Sequence, residues 1–492
     1  MAALLPTLLC LASGFLLVSL GWPHRKPAFS DYLYRTSLSI GFGLGIFSVI
    51  FFLALLLGIT HLLLVDCVVL ALLLTAFFGM RNRTEEAGSA TQAKQIPDPI
   101  GEQRTWHGRL VTGGFVIALC SALYAAVMRV LAYPHGDGWD AFSIWNLHAR
   151  FLFLGGAHWR DGFTALLPWS HPDYPLLLPG AVVHFWSYLG HDNPAVPAVI
   201  GLLFTFATVA LLLASLLELR GRTPAMLAAT ALLATPSFIE QGTAQYADVP
   251  LSFFILASIT VLCLHDDLVL NEGSHAARYS GLLVLAGLAA GFAAWTKNEG
   301  LLFLGALVVA RLMALRHRNV PRSQIGRARK IAPLVVATIP ALILIAYFKH
   351  FIAPPGDLFS SDASSLHKLL QPARYWAIVQ WYVKGFFRFG RWLLLPGTIL
   401  LIGYYLVVGK EEYAEPRPGI RTSSLALALT LAGYFAVYLV TPYDIYWHLR
   451  FSLMRLFLQL WPSAIFLFFL VVRSSETNIS PAELKRDAPD HA

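Results

Sequence analysis

HGDGWDAFSIWNLHARFLFLGGAHWRDGFTALLPWSHPDYPLLLPGAVVHFWSYLG, residues 135–190, decides how the rest of the chain is threaded. Its last segment, LLLPGAVVHFWSYLG (176–190), is as apolar as a membrane span but short for one, is broken by Pro179 and Gly180, and carries His184, Trp186 and Tyr188. Those are features of a helix lying in the membrane interface. A charge test agrees. If 176–190 crossed, the following span at 196–219 would end outside and leave Arg220 and Arg222 there; lying flat, it places both arginines inside, where Lys and Arg accumulate. Residues 134–195 then form one large external loop with two in-plane amphipathic helices, near 140–154 and 176–189.

The composition sets the class. Of 492 residues, 57% are hydrophobic and 13% charged, whereas a soluble domain carries about 25% charged residues. Apolar runs long enough to cross a bilayer recur throughout, continuous rather than alternating, and backbone in lipid is satisfied only in helices or closed barrels. The expected fold is therefore an all-α integral membrane protein with about 13 transmembrane helices, one per run of about 20 apolar residues. The formal charge of +8 would suggest a nucleic-acid partner in a soluble chain, but here the basic residues gather in short loops and set orientation, so no nucleic acid is implied. Cys10, Cys67, Cys120 and Cys263 fall inside spans with no CxxC pair and read as small core residues. The N-terminal MAALLPTLLCLASGFLLVSLGW has neither the charged leader nor the cleavage site of a signal peptide, and reads as a first span.

Taken in order, spans at 1–21, 38–58 and 61–79 form a three-helix N-terminal membrane prefix (1–80), in which Gly41, Gly43 and Gly45 allow close helix packing. A charged linker (81–108, with Arg81, Arg83, Lys94 and Arg104) is cytoplasmic and separates the prefix from a core at 109–473. In the core, spans at 110–133, 196–219, 224–239, 249–265, 280–295, 300–315, 331–352, 392–409, 423–441 and 456–473 alternate consistently. The inner loops hold His275 and Arg278, the run RHRNVPRSQIGRARK (316–330) and KEEYAEPRPGIR (410–421); 353–388 is an outer loop, and 474–492 is a polar cytoplasmic tail. The sequon Asn478-Ile-Ser480 lies on the cytoplasmic side and reads as chance.

The polar residues that call for a functional reading all fall on the outer side: Asp137 and Asp140, the HPDYP turn with His171, Asp173 and Tyr174, YADVP with Tyr246 and Asp248, TKNEG with Lys297 and Glu299, and DIYWHLRFSLMR with Asp444, His448, Arg450 and Arg455. Ionisable groups at span ends are costly to desolvate, so their gathering on one face points to a site.

This order of motifs resembles the polytopic C-type-fold glycosyltransferases, such as the protein O-mannosyltransferases and the lipid A aminoarabinose transferases. These take a sugar from a polyprenyl-phosphate donor at the outer membrane face. The resemblance covers about residues 109–473. A core span leads to an acidic residue (Asp140), a large outer loop with juxtamembrane helices, an Asp before a span (Asp248) and a Thr-Lys turn (Thr296-Lys297). The three-helix prefix departs from the common plan. The resemblance implies an inner-membrane enzyme of the cell envelope with its site facing the periplasm or exterior. It implies a polyprenyl-phosphate-linked sugar and membrane lipid as partners, an acceptor that is lipid, glycan or protein, and inversion at the anomeric carbon.

The residue types suit that chemistry. A lipid-phosphate leaving group is already an anion, so the reaction needs a base for the acceptor hydroxyl and cations for the phosphate. Asp140 is the candidate base, Lys297 the candidate phosphate contact with Arg450 or Arg455 as a second, and Asp248 a residue orienting acceptor or sugar; Trp139, Trp145, Trp159 and Trp169 offer stacking surfaces. Structural readings stand beside these. Asp140 and Asp248 are both at positions where Asp caps a helix, Lys297 and Glu299 would serve as an interface anchor with its counter-ion, and Asp444 and His448 are spaced for an i,i+4 pair. The sequence singles out no cofactor and leaves a divalent metal open, with candidate ligands in His171 and Asp173, with His135, although such residues are more often hydrogen-bonded in turns. Two other functions compete. A secondary transporter would place ionisable groups at the membrane midplane in repeated halves, and a non-catalytic assembly protein would use the outer loop for docking.

Overall fold

The computed structural model describes residues 3–23, 28–86, 106–272, 279–316, 330–356, 367–392, 396–413 and 417–473. Most of the linker, the loop with His275 and Arg278, most of the basic run 316–330 and the sequon lie outside them. The described residues are helical, with no strand beyond one isolated bridge between Lys410 and Val472. In order the helices are α1 (Leu4–Gly21), α2 (Phe29–Leu57), α3 (Leu62–Glu86), α4 (Trp106–Ala132), α5 (Asn146–Leu154), α6 (Leu177–Leu189), α7 (Ala195–Arg220), α8 (Arg222–Leu233), α9 (Pro236–Thr243) and α10 (Asp248–Glu272). There follow α11 (Ser280–Thr296), α12 (Asn298–Arg316), α13 (Ala332–Phe351), α14 (Pro372–Arg388), α15 (Gly397–Val408), α16 (Pro418–Val440) and α17 (Ile445–Val471). Ten of these are long and apolar enough to cross a membrane, and α6, α11 and α15 are shorter apolar helices. The chain is an all-α integral membrane protein.

Helix α10 is the axis of the bundle. It packs on α7, α11, α16 and α17, and its apolar residues from Val249 to Leu264 are buried on every side. A helix apolar all round belongs in the middle. At the opposite extreme, α3 and α4 turn most of their apolar side chains outward, including Leu64, Leu72, Ile117, Tyr124 and Leu131, as lipid-facing helices do. The prefix is not peripheral: α2 lies against α6 and α7, and a Cβ built at Gly43 would sit 2.3 Å from the Cys10 carbonyl oxygen, so α1 and α2 approach to backbone contact.

Four segments differ from the sequence reading. α6 does not cross, since 13 residues of helix span only about 20 Å at 1.5 Å per residue, but neither does it lie on the surface. Its residues Leu177 to His184, and Trp186, are buried. His184 Nε2 meets the Asp66 carboxylate of α3 at 2.9 Å, Tyr188 donates to the same oxygen, and Trp186 donates to the Asn193 carbonyl at 2.8 Å. His184 Nε2, the Tyr188 hydroxyl and the Trp186 indole N–H are met by protein rather than by the interface, while His184 Nδ1 is buried with no partner among the described residues. The stretch 224–239 is two helices, because Pro236, lacking an N–H, starts α9 after a break at Ala234–Thr235. The outer loop 353–388 contains α14, whose outward face carries Trp376, Val379, Val383 and Phe387. Arg374 and Lys368 donate to the carbonyls of Tyr438, Leu439 and Thr441, the exposed C-terminal acceptors of α16. Finally, 445–455 is helix rather than loop, since the Asp444 carboxylate accepts from the Trp447 amide and starts α17 eleven residues early.

Candidate active site

The turn HGDGWD delivers the first acidic residue. Gly136 and Gly138 both have left-handed backbone (φ +92° and +93°), and a Cβ on Gly138 would lie 2.5 Å from the Tyr246 hydroxyl. Only glycine fits a turn this tight against that ring. Asp140 follows at the N-cap position of a single π-helical turn, Ala141–Trp145, yet its side chain makes no capping bond. It points inward instead, where Asp140 Oδ2 accepts from Arg455 Nη1 at 2.7 Å; the two side chains are 20% and 21% exposed.

Arg455 continues the chain of contacts. Its Nε and Nη2 both donate to Asp248 Oδ2, at 2.9 and 2.8 Å, two charge-assisted bonds converging on one oxygen of a fully buried carboxylate. The other oxygen of Asp248 accepts from Lys297 Nζ at 3.0 Å and from Gln459 Nε2 at 2.6 Å, and Gln459 in turn accepts from the Tyr434 hydroxyl at 2.7 Å. Lys297 also pairs with Glu299 at 2.9 Å, and the Tyr174 ring lies 5.7 Å from its ammonium. Arg455 itself lies over the Tyr246 ring at 4.8 Å. The five motifs singled out in the sequence thus meet at one point, carried by α10, the α11–α12 junction, α17, the Gly136–Asp140 turn and Tyr174. Burial, and next the Asp140 charge, push the Tyr246 phenol up to about 12; burial, and next Glu299, push Tyr174 well above its usual range. Both rings are neutral hydrogen-bonding walls at physiological pH.

Several candidates lie elsewhere. Asp137 is paired with Arg129 at the end of α4. Asp173 accepts from Lys349 Nζ at 3.0 Å and Asn298 Nδ2 at 2.8 Å, forming a second polar knot beside the first. His171, in left-handed backbone, stacks on Tyr174 with ring centroids 4.8 Å apart. His448 Nδ1 is 2.9 Å from the Thr441 hydroxyl, and Arg450 is exposed with its guanidinium over Phe451, so of the two arginines only Arg455 enters the cluster. Among the described residues no group of three or more His, Cys, Asp or Glu side chains is arranged to hold a metal ion; the Asp173 carboxylate faces an ammonium instead.

Asp248 has no exposed surface, and its contacts are with Lys297, Arg455 and Gln459. Lys297, 5% exposed and clamped between Asp248 and Glu299, backs the site, and Arg455 is the cation with an open edge. Gln459 and Tyr434 escaped the sequence reading. The available signal was register: Gln459 lies four residues beyond Arg455, one turn along the same face of an apolar helix.

Residues 188–352, from the end of α6 to the end of α13, match the family model described as dolichyl-phosphate-mannose-protein mannosyltransferase (PMT). Over that third of the chain the protein is similar to a family of membrane glycosyltransferases. The segment contains Asp248, Lys297 and Glu299; Asp140 and Arg455 flank it in sequence and close on it in space. No curated protein and no solved structure matches the chain.

Proposed function

We propose that this protein moves a sugar from a polyprenyl-phosphate donor to an acceptor hydroxyl of a lipid, glycan or protein at the outer face of the inner membrane, with inversion. The observation that carries the reading is the Asp140–Arg455–Asp248 chain, in which a partly exposed carboxylate and a partly exposed guanidinium stand together on a buried ionic base. Asp140 takes the acceptor proton as the acceptor oxygen bonds to the anomeric carbon. The carbon–oxygen bond to phosphate breaks, and its electron pair leaves on the polyprenyl phosphate, whose charge Arg455 stabilises. One displacement inverts the centre. Trp139, Phe142 and Trp169 form an exposed aromatic group beside Asp140, with Trp139 centroids 5.6 and 5.9 Å from the other two, suited to stacking on a sugar face.

The test is transfer in proteoliposomes against a panel of polyprenyl-phosphate sugars, with and without a metal chelator, and with the anomeric configuration of the product read by NMR. Asp140→Asn is expected to abolish transfer while inserting normally; undiminished turnover in that variant rejects the base assignment. Cysteine at position 140 is expected to label from outside.

A further inference from the structure

Two features of the cluster conflict with its chemistry as it stands. The base is occupied: Asp140 Oδ2, an oxygen that would accept the proton, holds Arg455 Nη1 at 2.7 Å. The charge is also wrong for a phosphate site, because Asp140, Asp248 and Glu299 outnumber Lys297 and Arg455, leaving a negative excess where an anion must bind. The anchoring of Arg455 resolves both. Its Nε–Nη2 edge is fixed on a carboxylate that Lys297 and Gln459 hold from behind, whereas its Nη1 contact is to a side chain 20% exposed. A guanidinium donates from more than one edge, and a phosphate is a stronger bidentate acceptor than the single oxygen it would displace.

Resting on the function proposed above, we infer that the donor gates its own base: the donor phosphate displaces Asp140 from Arg455 Nη1, and Asp140 becomes free to accept a proton only when a donor is present. Acceptor activation is thereby ordered after donor binding. After transfer, the polyprenyl phosphate holds Arg455 until it leaves, and the returning Asp140 carboxylate competes with it and promotes release. Gln459 and Tyr434 are positioning residues for this exchange, since they orient the Asp248 carboxylate that keeps one edge of Arg455 still.

Competition has a consequence that a simple base does not. Removing the charge of Asp140 must tighten phosphate binding by the same coupling with which phosphate displaces Asp140. Full-length protein in nanodiscs is titrated with a polyprenyl monophosphate in wild-type, Asp140→Asn, Asp140→Glu and Arg455→Gln forms, each checked for monodispersity. Asp140→Asn is expected to bind about tenfold tighter than wild type, within the range of ordinary coupling energies, while transferring no sugar. Asp140→Glu, which keeps the charge, binds like wild type, and Arg455→Gln loses affinity. Wild-type or weaker binding by Asp140→Asn overturns the gate and leaves the proposed function standing, as does tightening by Asp140→Glu equal to that of Asn. A wild-type protein that neither binds the monophosphate nor transfers any sugar overturns both.

Discussion

Replacing Asp248 by Asn is the sharpest probe of how the site is held. The substitution keeps the shape but removes the charge that faces Lys297 and Arg455 across three hydrogen bonds and Gln459 across a fourth, on a side chain with no exposed surface. Removing one partner of a buried ion pair costs about 3–5 kcal/mol, chiefly because the remaining charge is left uncompensated. Here each cation keeps a second partner, Glu299 for Lys297 and Asp140 for Arg455, so the expected loss is about 3 kcal/mol, at the low end of that range. Asp140→Asn breaks a pair that is partly solvated on both sides, and its expected cost is below about 1 kcal/mol. Unfolding in mixed micelles, followed by far-UV circular dichroism, measures both. Transfer is expected to be lost in both variants, through collapse of the Arg455 anchor in one and through loss of the base in the other. Equal stability of the two variants would refute the argument, since it would mean that the Asp248 end of the cluster is solvated or uncharged.

Other perturbations separate scaffold from chemistry. Gly138→Ala is expected to lose most transfer with a small stability change, because a Cβ would meet the Tyr246 hydroxyl at 2.5 Å in left-handed backbone; wild-type kcat would count against the turn as the device that aims Asp140. His148 on α5 is fully buried, neither ring nitrogen has a hydrogen-bond partner, and burial, then the nearby His171, lowers its pKa from 6.5 to about 3. Because the unfolded chain takes the proton first, its contribution to stability is complete above about pH 6.5 and declines as pH falls toward about 3. His148→Leu is expected to flatten the fall in melting temperature over that window, and parallel pH profiles would dismiss the effect. Asp66→Ala strips the shared acceptor from His184 and Tyr188 and is expected to lower the melting temperature and expose α3 to protease, measured by limited proteolysis. Asp266→Asn at the far end of α10 unpairs the buried Arg311; it is expected to destabilise as much as Asp248→Asn while leaving the affinity for a polyprenyl monophosphate at wild type.

How much of this was legible in the sequence depended on where each polar group sat relative to an apolar run. Asp140, Asp248, Lys297 and Arg455 stand out because they punctuate the ends of spans, where hydropathy changes abruptly, and the structure brings them together. Their division of labour was not legible, because Asp248 and Asp140 are the same residue type in similar contexts and differ only in burial, a property of the packed bundle. Gln459 and Tyr434 hide inside apolar helices. The Asp66–His184–Tyr188 knot joins residues more than a hundred positions apart, and a helix carrying His, Trp and Tyr reads alone as interfacial when its true partner is another helix. The helical start of α17 was masked by the polarity of 444–455, although Asp444 at its N-cap was in plain view.

The geometry of α10 ties these strands together. Asp248 opens the helix and Asp266 lies 18 residues on, which at 1.5 Å per residue separates the two carboxylates by about 27 Å along the axis, close to the roughly 30 Å of a bilayer's hydrocarbon core. Each is buried and matched by cations from other segments: Lys297 and Arg455 at one end and Arg311 at the other, where His265 of α10 itself also meets Asp266. Between them α10 is apolar on all sides. A charged group buried in protein near the level of an interface costs far less than one at the midplane, and the spacing of the two ionic knots suits a helix that crosses with one knot toward each interface. Only one knot has an open edge, at Asp140 and Arg455, while the Asp266–Arg311 knot is closed by a fully buried guanidinium. On the function proposed above, an open edge at one knot alone is what a donor with its sugar at the interface and its prenyl chain in the lipid requires, whereas a transporter must admit solute at the midplane.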